Sequence, residues 1–334
     1  MKKGKQSYIL ETQPKISDTS TLVGKREHEG PLGEYFDEVL DNDLFGMKSY
    51  ELAECKMQRH TLNRLLKKTG KTEEDIDCII GGDLLNQIFA TSFSAREFNA
   101  AFFGLYGACS TFGEGLILAS MLLNTDMFKN VIVTASSHFS AAERQYRYPL
   151  ELGNQRTPLS QWTVTGSGSV LLTTEEIENA PKITAVTAGR VVDYGVTDAN
   201  DMGAAMAPAA ADTLKAHFSE LSRSPNYYDV IFTGDLGGFG LQLAEYLCVE
   251  AGYTMPKSFS DCGKMMFSEK QKTFQGGSGA GCSSVVFGSY IFRLMKEKKL
   301  NKILLVPTGA LLNKGSPLQK QSIPSIAHAV AIEV

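Results

Sequence analysis

The sequence is poor in the residues from which many catalytic and metal sites are built. It has five histidines, one tryptophan and six scattered cysteines without a CxxC pair. This spacing argues against a disulfide framework and a zinc site, and it favours a reducing compartment. No stretch approaches the roughly 18 consecutive apolar residues that a membrane-spanning helix needs. Residues 1–5 are lysine-rich but no apolar segment follows, so no signal peptide is expected.

Excess positive charge is also missing. The net charge is −4, and no stripe of lysine or arginine runs along the chain, so nucleic-acid binding is not expected. With 43% hydrophobic and 21% charged residues in a chain of 334, the composition is that of a globular protein with one large domain or two fused halves. Since no stretch of the sequence is long and apolar enough to span a bilayer, any association with a membrane is expected to be peripheral or through a partner.

The chain repeats itself. Three segments occur twice in the same order: 77–84 and 229–236, 107–110 and 280–283, and 129–136 and 301–308. The first pair ends in Gly-Asp-Leu both times, the second carries a cysteine before a helical stretch, and the third is a buried-strand pattern. Three matches in register predict a duplicated α/β unit, with halves at 1–178 and 179–334.

Cys109 stands at the predicted start of a helix. It lies in Gly-Ala-Cys-Ser, and Thr111 and Glu114 have the spacing of a capping box before an apolar run. The positive end of a helix dipole would lower the pKa of the thiol, although a nearby Glu114 would oppose part of that lowering. The alternative is a small buried residue at a tight turn. Further helices are predicted at 51–69 (ending at Gly70), 204–221, 240–251 and 287–298.

A glycine-rich segment, 276–281, enters the second helical stretch. Because the Walker spacing and its lysine are absent, close backbone packing is favoured over a phosphate site. Residues 162–172 are typical of a glycine turn that leads into a strand.

Together these features resemble the thiolase and ketoacyl synthase superfamily, through the cysteine at a helix start and the Gly-Ser-Gly-Ser-Val-Leu strand at 166–171. Within it, the chain is similar almost end to end to the stage V sporulation protein AD family. The most specific segments are 30–37, 136–147, 161–168, 202–213 and 326–330. The resemblance implies a thiolase-like fold, with two duplicated halves layered α/β/α/β/α.

The resemblance also implies a function. It implies a sporulation protein that binds dipicolinic acid (pyridine-2,6-dicarboxylate) for uptake into the developing spore, through a degenerate thiolase-type pocket and without a cofactor. It further implies a homodimer that works with other SpoVA membrane proteins and associates peripherally with the spore inner membrane. Whether the ligand is the free acid or its calcium chelate stays open; Asp193, Asp198 and Asp201 are too irregularly spaced to indicate a metal site.

The departures from the condensing enzymes bear on activity. Those enzymes pair the cysteine with a histidine and with a second histidine or asparagine. Here the corresponding places fall on Asp235 and near Gly277 and Ser278. Cys109 is therefore expected to be a vestigial nucleophile. Two alternatives remain: an active acyl-transferring enzyme with His138 or Asp235 as an unusual base, and a structural adaptor with a relic pocket.

A flat aromatic dianion needs cationic donors, backbone N–H groups and an apolar wall. The residues predicted to line its pocket are Cys109, Ser110, His138, Arg144, Arg147, Arg156, Trp162, Asp235, Gly277 and Ser278. The alternative for His138 is a buried, hydrogen-bonded imidazole, and for the arginines a surface or dimer-facing loop. The alternative for Trp162 is a position in the core. His28, His60 and His217 lie in polar stretches, and His328 lies on a terminal strand pattern.

Overall fold

The structure is a computed structural model that describes residues 1–146, 150–153 and 155–334. The strands are β1 (Ser7–Ile9), β2 (Lys15–Val23), β3 (Glu38–Val39), β4 (Cys78–Gly82), β5 (Ala101–Gly104), β6 (Asn130–Ser137), β7 (Trp162–Thr163), β8 (Gly166–Thr173), β9 (Lys182–Thr187), β10 (Val230–Thr233), β11 (Ser260–Asp261), β12 (Gly277–Ser278), β13 (Lys302–Val306), β14 (Thr308–Ala310), β15 (Ser325–Ala327) and β16 (Ala329–Glu333). The helices are α1 (Lys25–His28), α2 (Tyr50–Thr69), α3 (Phe89–Ala95), α4 (Thr111–Leu123), α5 (Phe139–Tyr146), α6 (Met202–Leu221), α7 (Gly237–Glu250), α8 (Cys262–Met266), α9 (Ala280–Val286), α10 (Phe292–Lys296) and α11 (Gly315–Leu318).

The main sheet shows the duplication directly. Its strand order is β11-β10-β13-β16-β9-β2-β8-β6-β4-β5, so each half contributes five strands in the same order from the edge inward. The two halves meet where β2 and β9 pair through Lys15 and Lys182. At each edge three strands run parallel, and the strands towards the middle are antiparallel. The predicted duplicated α/β unit is confirmed.

Helices cover both sheet halves and also separate them. In the outer layer of the first half, Leu62 and Leu65 of α2 pack on Ile132 of β6. In the second half, Leu214 of α6 packs with Leu304 of β13. The central layer consists of α4 and α9, which are buried between strands of both halves in a single core. These layers confirm the predicted α/β/α/β/α arrangement. The predicted boundary at 178/179 lies in the connection between β8 and β9.

Local sequence signals account for several element ends. Helix α2 begins after Ser49, whose side chain accepts a hydrogen bond from the Leu52 N–H, and ends at Gly70 with φ of 66°, as predicted. The helix predicted at 287–298 is present as far as Lys296, but it begins earlier than predicted. Helix α9 runs from Ala280 through a π-helical turn, Phe287–Ile291, into α10. The Thr19 hydroxyl donates a hydrogen bond of 2.5 Å to the Gly288 carbonyl in that turn.

His217 corrects an expectation drawn from its polar neighbours. It is fully buried, because α6 turns this face towards the sheet. Its ring bonds Thr187 at 2.7 Å and Tyr228 at 2.6 Å. Burial lowers the pKa of His217 to about 3, so the imidazole is neutral and its role is structural.

Candidate functional site

A cavity of about 240 Å³ lies where the two halves of the fold meet. From the first half it is lined by Leu84, Tyr106, Cys109, Glu143 and Tyr146. Leu84 follows β4, and Tyr106 and Cys109 follow β5, so these residues sit beyond the carboxyl ends of parallel strands. That edge is where open α/β folds place their ligands.

The second half closes the cavity from the other side. Its lining residues include Met202 and Met206 of α6, Ser278 at the end of β12, and Leu312 and Asn313 after β14. The lining is therefore mainly apolar and aromatic, with hydroxyl, amide and carboxylate groups at separate points. Among the described residues that line it there is no lysine, arginine or histidine.

Cys109 lies in a tight turn just before a buried helix. The turn is a 3-10 segment, Ala108–Ser110, in which Ala108 has a positive φ of 53°. The predicted capping box is wrong. The last residue before α4 is Ser110, α4 has no side-chain cap, and the Thr111 hydroxyl donates to the Ala108 carbonyl at 2.7 Å. The lowered pKa of Cys109 stays a prediction.

Glycine allows the second half to hold this turn closely. A Cβ atom at Gly309 of β14 would lie 2.3 Å from the Gly107 carbonyl oxygen, 2.9 Å from the Ser110 nitrogen and 3.2 Å from the Cys109 nitrogen. All three are backbone atoms, which cannot move aside without moving the turn. The position of Cys109 in the cavity wall therefore depends on the absence of a side chain at residue 309.

The glycine-rich segment packs as predicted, although against other partners. A Cβ at Gly281 would lie 2.3 Å from the Gly166 carbonyl oxygen of β8 and 3.0 Å from the Ser137 nitrogen of β6. Gly279 has φ of 119° and lines the cavity beside Ser278. Gly277 of β12 pairs with Trp162 of β7, and the next residue, Ser278, lines the cavity.

Asp235 occupies the place where the resemblance puts a catalytic histidine. Its side chain is fully buried and approaches the Cys282 thiol and the Gly279 amide without a hydrogen bond of ordinary geometry among the described residues. Burial raises the pKa of Asp235 well above its usual range, and Asp261 raises it further. A buried carboxyl that does not line the cavity is poorly placed to act as a base for Cys109.

The predicted cations are spread around the cavity. Arg156 lies with Nη2 3.5 Å from Oε1 of Glu143, a buried carboxylate of the cavity wall that also accepts from the Thr163 hydroxyl at 3.0 Å. Arg144 is exposed and lies 6.0 Å from the Tyr50 ring centroid. Arg147 is outside the described residues.

His138 and Ser110 lie behind the cavity wall. The His138 ring is buried, and its Nε2 lies 2.8 Å from the Asp43 carbonyl oxygen. Burial lowers the pKa of His138, so this ring is neutral near pH 7 and is not a source of positive charge. Ser110 is also buried, and its hydroxyl donates to the Gly107 carbonyl at 2.7 Å.

Trp162 stacks on Phe139 next to the site, and two arginines contact this aromatic pair. Its ring lies parallel to that of Phe139 at a centroid distance of 3.9 Å. The guanidinium groups of Arg26 and Arg156 lie 4.0 and 4.6 Å from the Trp162 ring centroid. Arg156 also lies 5.6 Å from the Phe139 ring centroid, so cation–π contacts with both rings help to hold it beside Glu143.

The sequence analysis missed several lining residues. Tyr106 and Tyr146 share a hydrogen bond of 2.7 Å between their hydroxyl groups, and Tyr146 also donates to the Leu84 carbonyl. Glu143 and Tyr146 fall in one of the family-specific segments, and Met202 begins another, so those segments carried a usable signal. Asn313 lies in a loop with no such signal.

Sequence comparison decides the family. The model of the family described as Stage V sporulation protein AD (SpoVAD) matches residues 4–333. The chain belongs to the stage V sporulation protein AD family. It is 42% identical to Stage V sporulation protein AD of Bacillus subtilis (strain 168) over 330 residues, which cover 99% of this chain and 97% of that protein.

Solved structures support the fold alone. The 3-oxoacyl-[acyl-carrier-protein] synthase III of Aquifex aeolicus VF5 matches with a TM-score of 0.59 at 14% identity, covering 96% of this chain and 100% of that chain. Acetamide-bound OleA of Xanthomonas campestris matches with a TM-score of 0.58 at 14% identity, covering 100% of both chains. The predicted thiolase-like fold is thus confirmed.

None of the helices in residues 1–146, 150–153 and 155–334 is both long and apolar enough to cross a bilayer. Across the same residues, no group of three or more histidine, cysteine, aspartate or glutamate side chains is arranged to hold a metal ion.

Proposed function

We propose that the cavity binds dipicolinic acid for its uptake into the developing spore. The observation that carries the proposal is a small, mainly apolar cavity with tyrosine walls in a member of a spore protein family. A volume of about 240 Å³ suits a ligand with a single ring, because cavities for larger ligands are usually bigger. The Ser278 hydroxyl and the Asn313 amide are suitable donors for the two carboxylates.

Arg156 is the predicted cation that best fits this role. It contacts Glu143 in the cavity wall, so it offsets a negative charge that would otherwise repel a dianion. Replacing Arg156 by alanine should weaken dipicolinate binding by about tenfold, because Glu143 would lose this partner next to the ligand. Arg144 and Arg147 remain proposed contacts of the same ligand.

Filling the cavity should weaken binding strongly, whereas removing the thiol should not. We expect Cys109→Ala to keep the affinity within about threefold, and Cys109→Phe to lower it by at least about tenfold, because a ring would occupy the cavity. Isothermal titration of the purified protein with dipicolinate, with and without calcium, measures both and separates the free acid from the chelate. Met127→Phe, at an exposed position, is the matched control. Unchanged affinity in a folded Cys109→Phe variant would place the ligand elsewhere.

The alternative function is acyl transfer from Cys109. It is favoured by the position of this thiol in the cavity and by the shared fold of the condensing enzymes. Against it, the position of the usual histidine is taken by buried Asp235. Incubation with acetyl-CoA followed by intact mass measurement distinguishes the two functions: an acetyl adduct that Cys109→Ala removes would support the enzyme.

We also propose that two copies pair along β5. This edge strand is paired on one side with β4, and all four of its residues are exposed. Phe102 and Phe103 lie on it, and exposed Phe93 of α3 is close in the chain. Exposed apolar edge strands are prone to pair with another strand, and a two-fold axis lets the same strand serve both copies.

A negative charge on β5 should prevent the two copies from pairing. We expect Phe103→Asp to shift the protein from dimer to monomer in analytical ultracentrifugation, because two buried carboxylates would face each other across the two-fold axis. Met127→Asp should leave the dimer intact. A Phe103→Asp variant that stays dimeric would exclude β5 as the contact.

Attachment to the spore membrane is proposed to occur through other SpoVA membrane proteins.

A further inference from the structure

The outer face of α7 carries three large apolar side chains among the polar side chains of Gln242, Glu245 and Glu250. Leu241, Ala244 and Cys248 point inward and are buried. On the opposite side Phe239 is 38% exposed, Tyr246 58% and Val249 50%. These three residues are separated by seven and three positions, so they share one side of the helix. We call them the α7 stripe.

Helix α2, an outer-layer helix of the other half although not the counterpart of α7 in the repeat, provides a comparison. Its exposed side chains are Asn63, Lys67 and Lys68, which is the polar surface expected of a helix that only meets water. The α7 stripe therefore does not follow from the position of the helix in an outer layer. Exposed Gln242 interrupts the stripe on one side, whereas half-buried Leu243 lies at helical spacing between Phe239 and Tyr246 and continues the apolar surface. A continuous apolar surface of this kind marks an interaction site.

The charges beside the stripe indicate its partner. Glu245 and Glu250 are exposed on the same helix, and none of its 14 residues is lysine or arginine. Half-buried Lys215 of α6 approaches α7 at Cys248, which is on the buried side. An anionic bilayer would be repelled by the two glutamates. A second copy of α7 would bring the same unpaired glutamates together.

We propose that the α7 stripe docks an amphipathic helix of another protein, with an apolar face for Phe239, Tyr246 and Val249 and basic residues for Glu245 and Glu250. This is a recurring mode of recognition, in which apolar anchors at helical spacing give affinity and flanking charges set the orientation. The proposal does not depend on what the cavity binds.

Photo-cross-linking in sporulating cells tests this partner. The full-length protein would carry p-benzoylphenylalanine in place of Tyr246, and the control would carry it in place of Met127, which is also exposed but lies outside α7. After irradiation, the attached peptide is sequenced. We expect a segment of a different protein with apolar residues at helical spacing and flanking lysine or arginine, obtained at position 246 and not at 127.

A charge reversal adds a second readout. Glu245→Lys together with Glu250→Lys should lower the cross-linking yield at position 246 by about fivefold, because two attractions become repulsions. A thermal melt of the variant confirms that it folds. Cross-links to this same chain, to lipid, to an acidic segment or to nothing would each overturn the proposal, as would a yield that the charge reversal leaves unchanged.

Discussion

Gly309→Ala is expected to lower the free energy of unfolding by about 3 kcal/mol or more, because the new methyl group would overlap backbone atoms. The Gly107 carbonyl oxygen lies 2.3 Å from the position of that Cβ, and the Ser110 nitrogen 2.9 Å. A flexible side chain could yield to a methyl group, whereas this turn is fixed by α4 behind it. Urea unfolding measures the change.

The same substitution should also disturb the cavity. If the turn shifts to admit the methyl group, Cys109 moves with it, so dipicolinate affinity and thiol labelling should change together. Gly315→Ala is the control: the closest atom to its Cβ belongs to the Asn313 side chain, at 3.2 Å, and its stability should stay within about 1 kcal/mol of wild type. Equal stability of both variants would contradict the close approach at Gly309.

Glu27→Gln should stabilise the protein above neutral pH by about 3 kcal/mol. Glu27 of α1 is fully buried, and its Oε1 accepts a hydrogen bond of 3.0 Å from the Thr165 N–H. Burial raises the pKa of Glu27 from 4.5 to about 7, an effect that the Thr165 bond partly offsets. Glutamine keeps the accepting oxygen and carries no charge to desolvate.

The sign follows from the two pKa values. Below pH 4.5 the carboxyl of Glu27 is protonated in both the folded and the unfolded state, so its ionisation does not lower the free energy of unfolding. Between pH 4.5 and about 7 the unfolded chain releases its proton while the folded protein retains it, so stability falls by about 1.4 kcal/mol per pH unit. Above pH 7 both states are ionised and the loss stays constant.

The measurement is therefore a pair of pH profiles. The stability difference between Glu27→Gln and wild type should grow between pH 4.5 and 7 and then stay level. Exposed Glu29, two residues along the chain, supplies the control variant Glu29→Gln, which should follow wild type throughout. Parallel profiles for wild type and Glu27→Gln would show that the buried carboxyl has an ordinary pKa.

The repeated segments of the sequence predicted the fold because their signals are local. Apolar runs at 131–133 and 303–306 became β6 and β13, at equivalent places in the two halves of the sheet. Gly70 ends α2 because glycine adopts the left-handed backbone conformation at little energetic cost. The failures were also local: the capping box at Thr111 gave way to a 3-10 turn, and the helix predicted at 287–298 begins earlier because it continues α9 through a π turn.

The candidate site shows where local signals stop. The sequence pointed to Cys109 through its place before a helix and to Ser278 through the resemblance to the condensing enzymes, and both line the cavity. Tertiary packing decided the other walls, since Leu84, Tyr146 and Asn313 come from three elements that are far apart in the chain. It also decided the charges. Burial in the core lowers the pKa of His138 and raises the pKa of Asp235, and no pattern of neighbouring residues reports that desolvation.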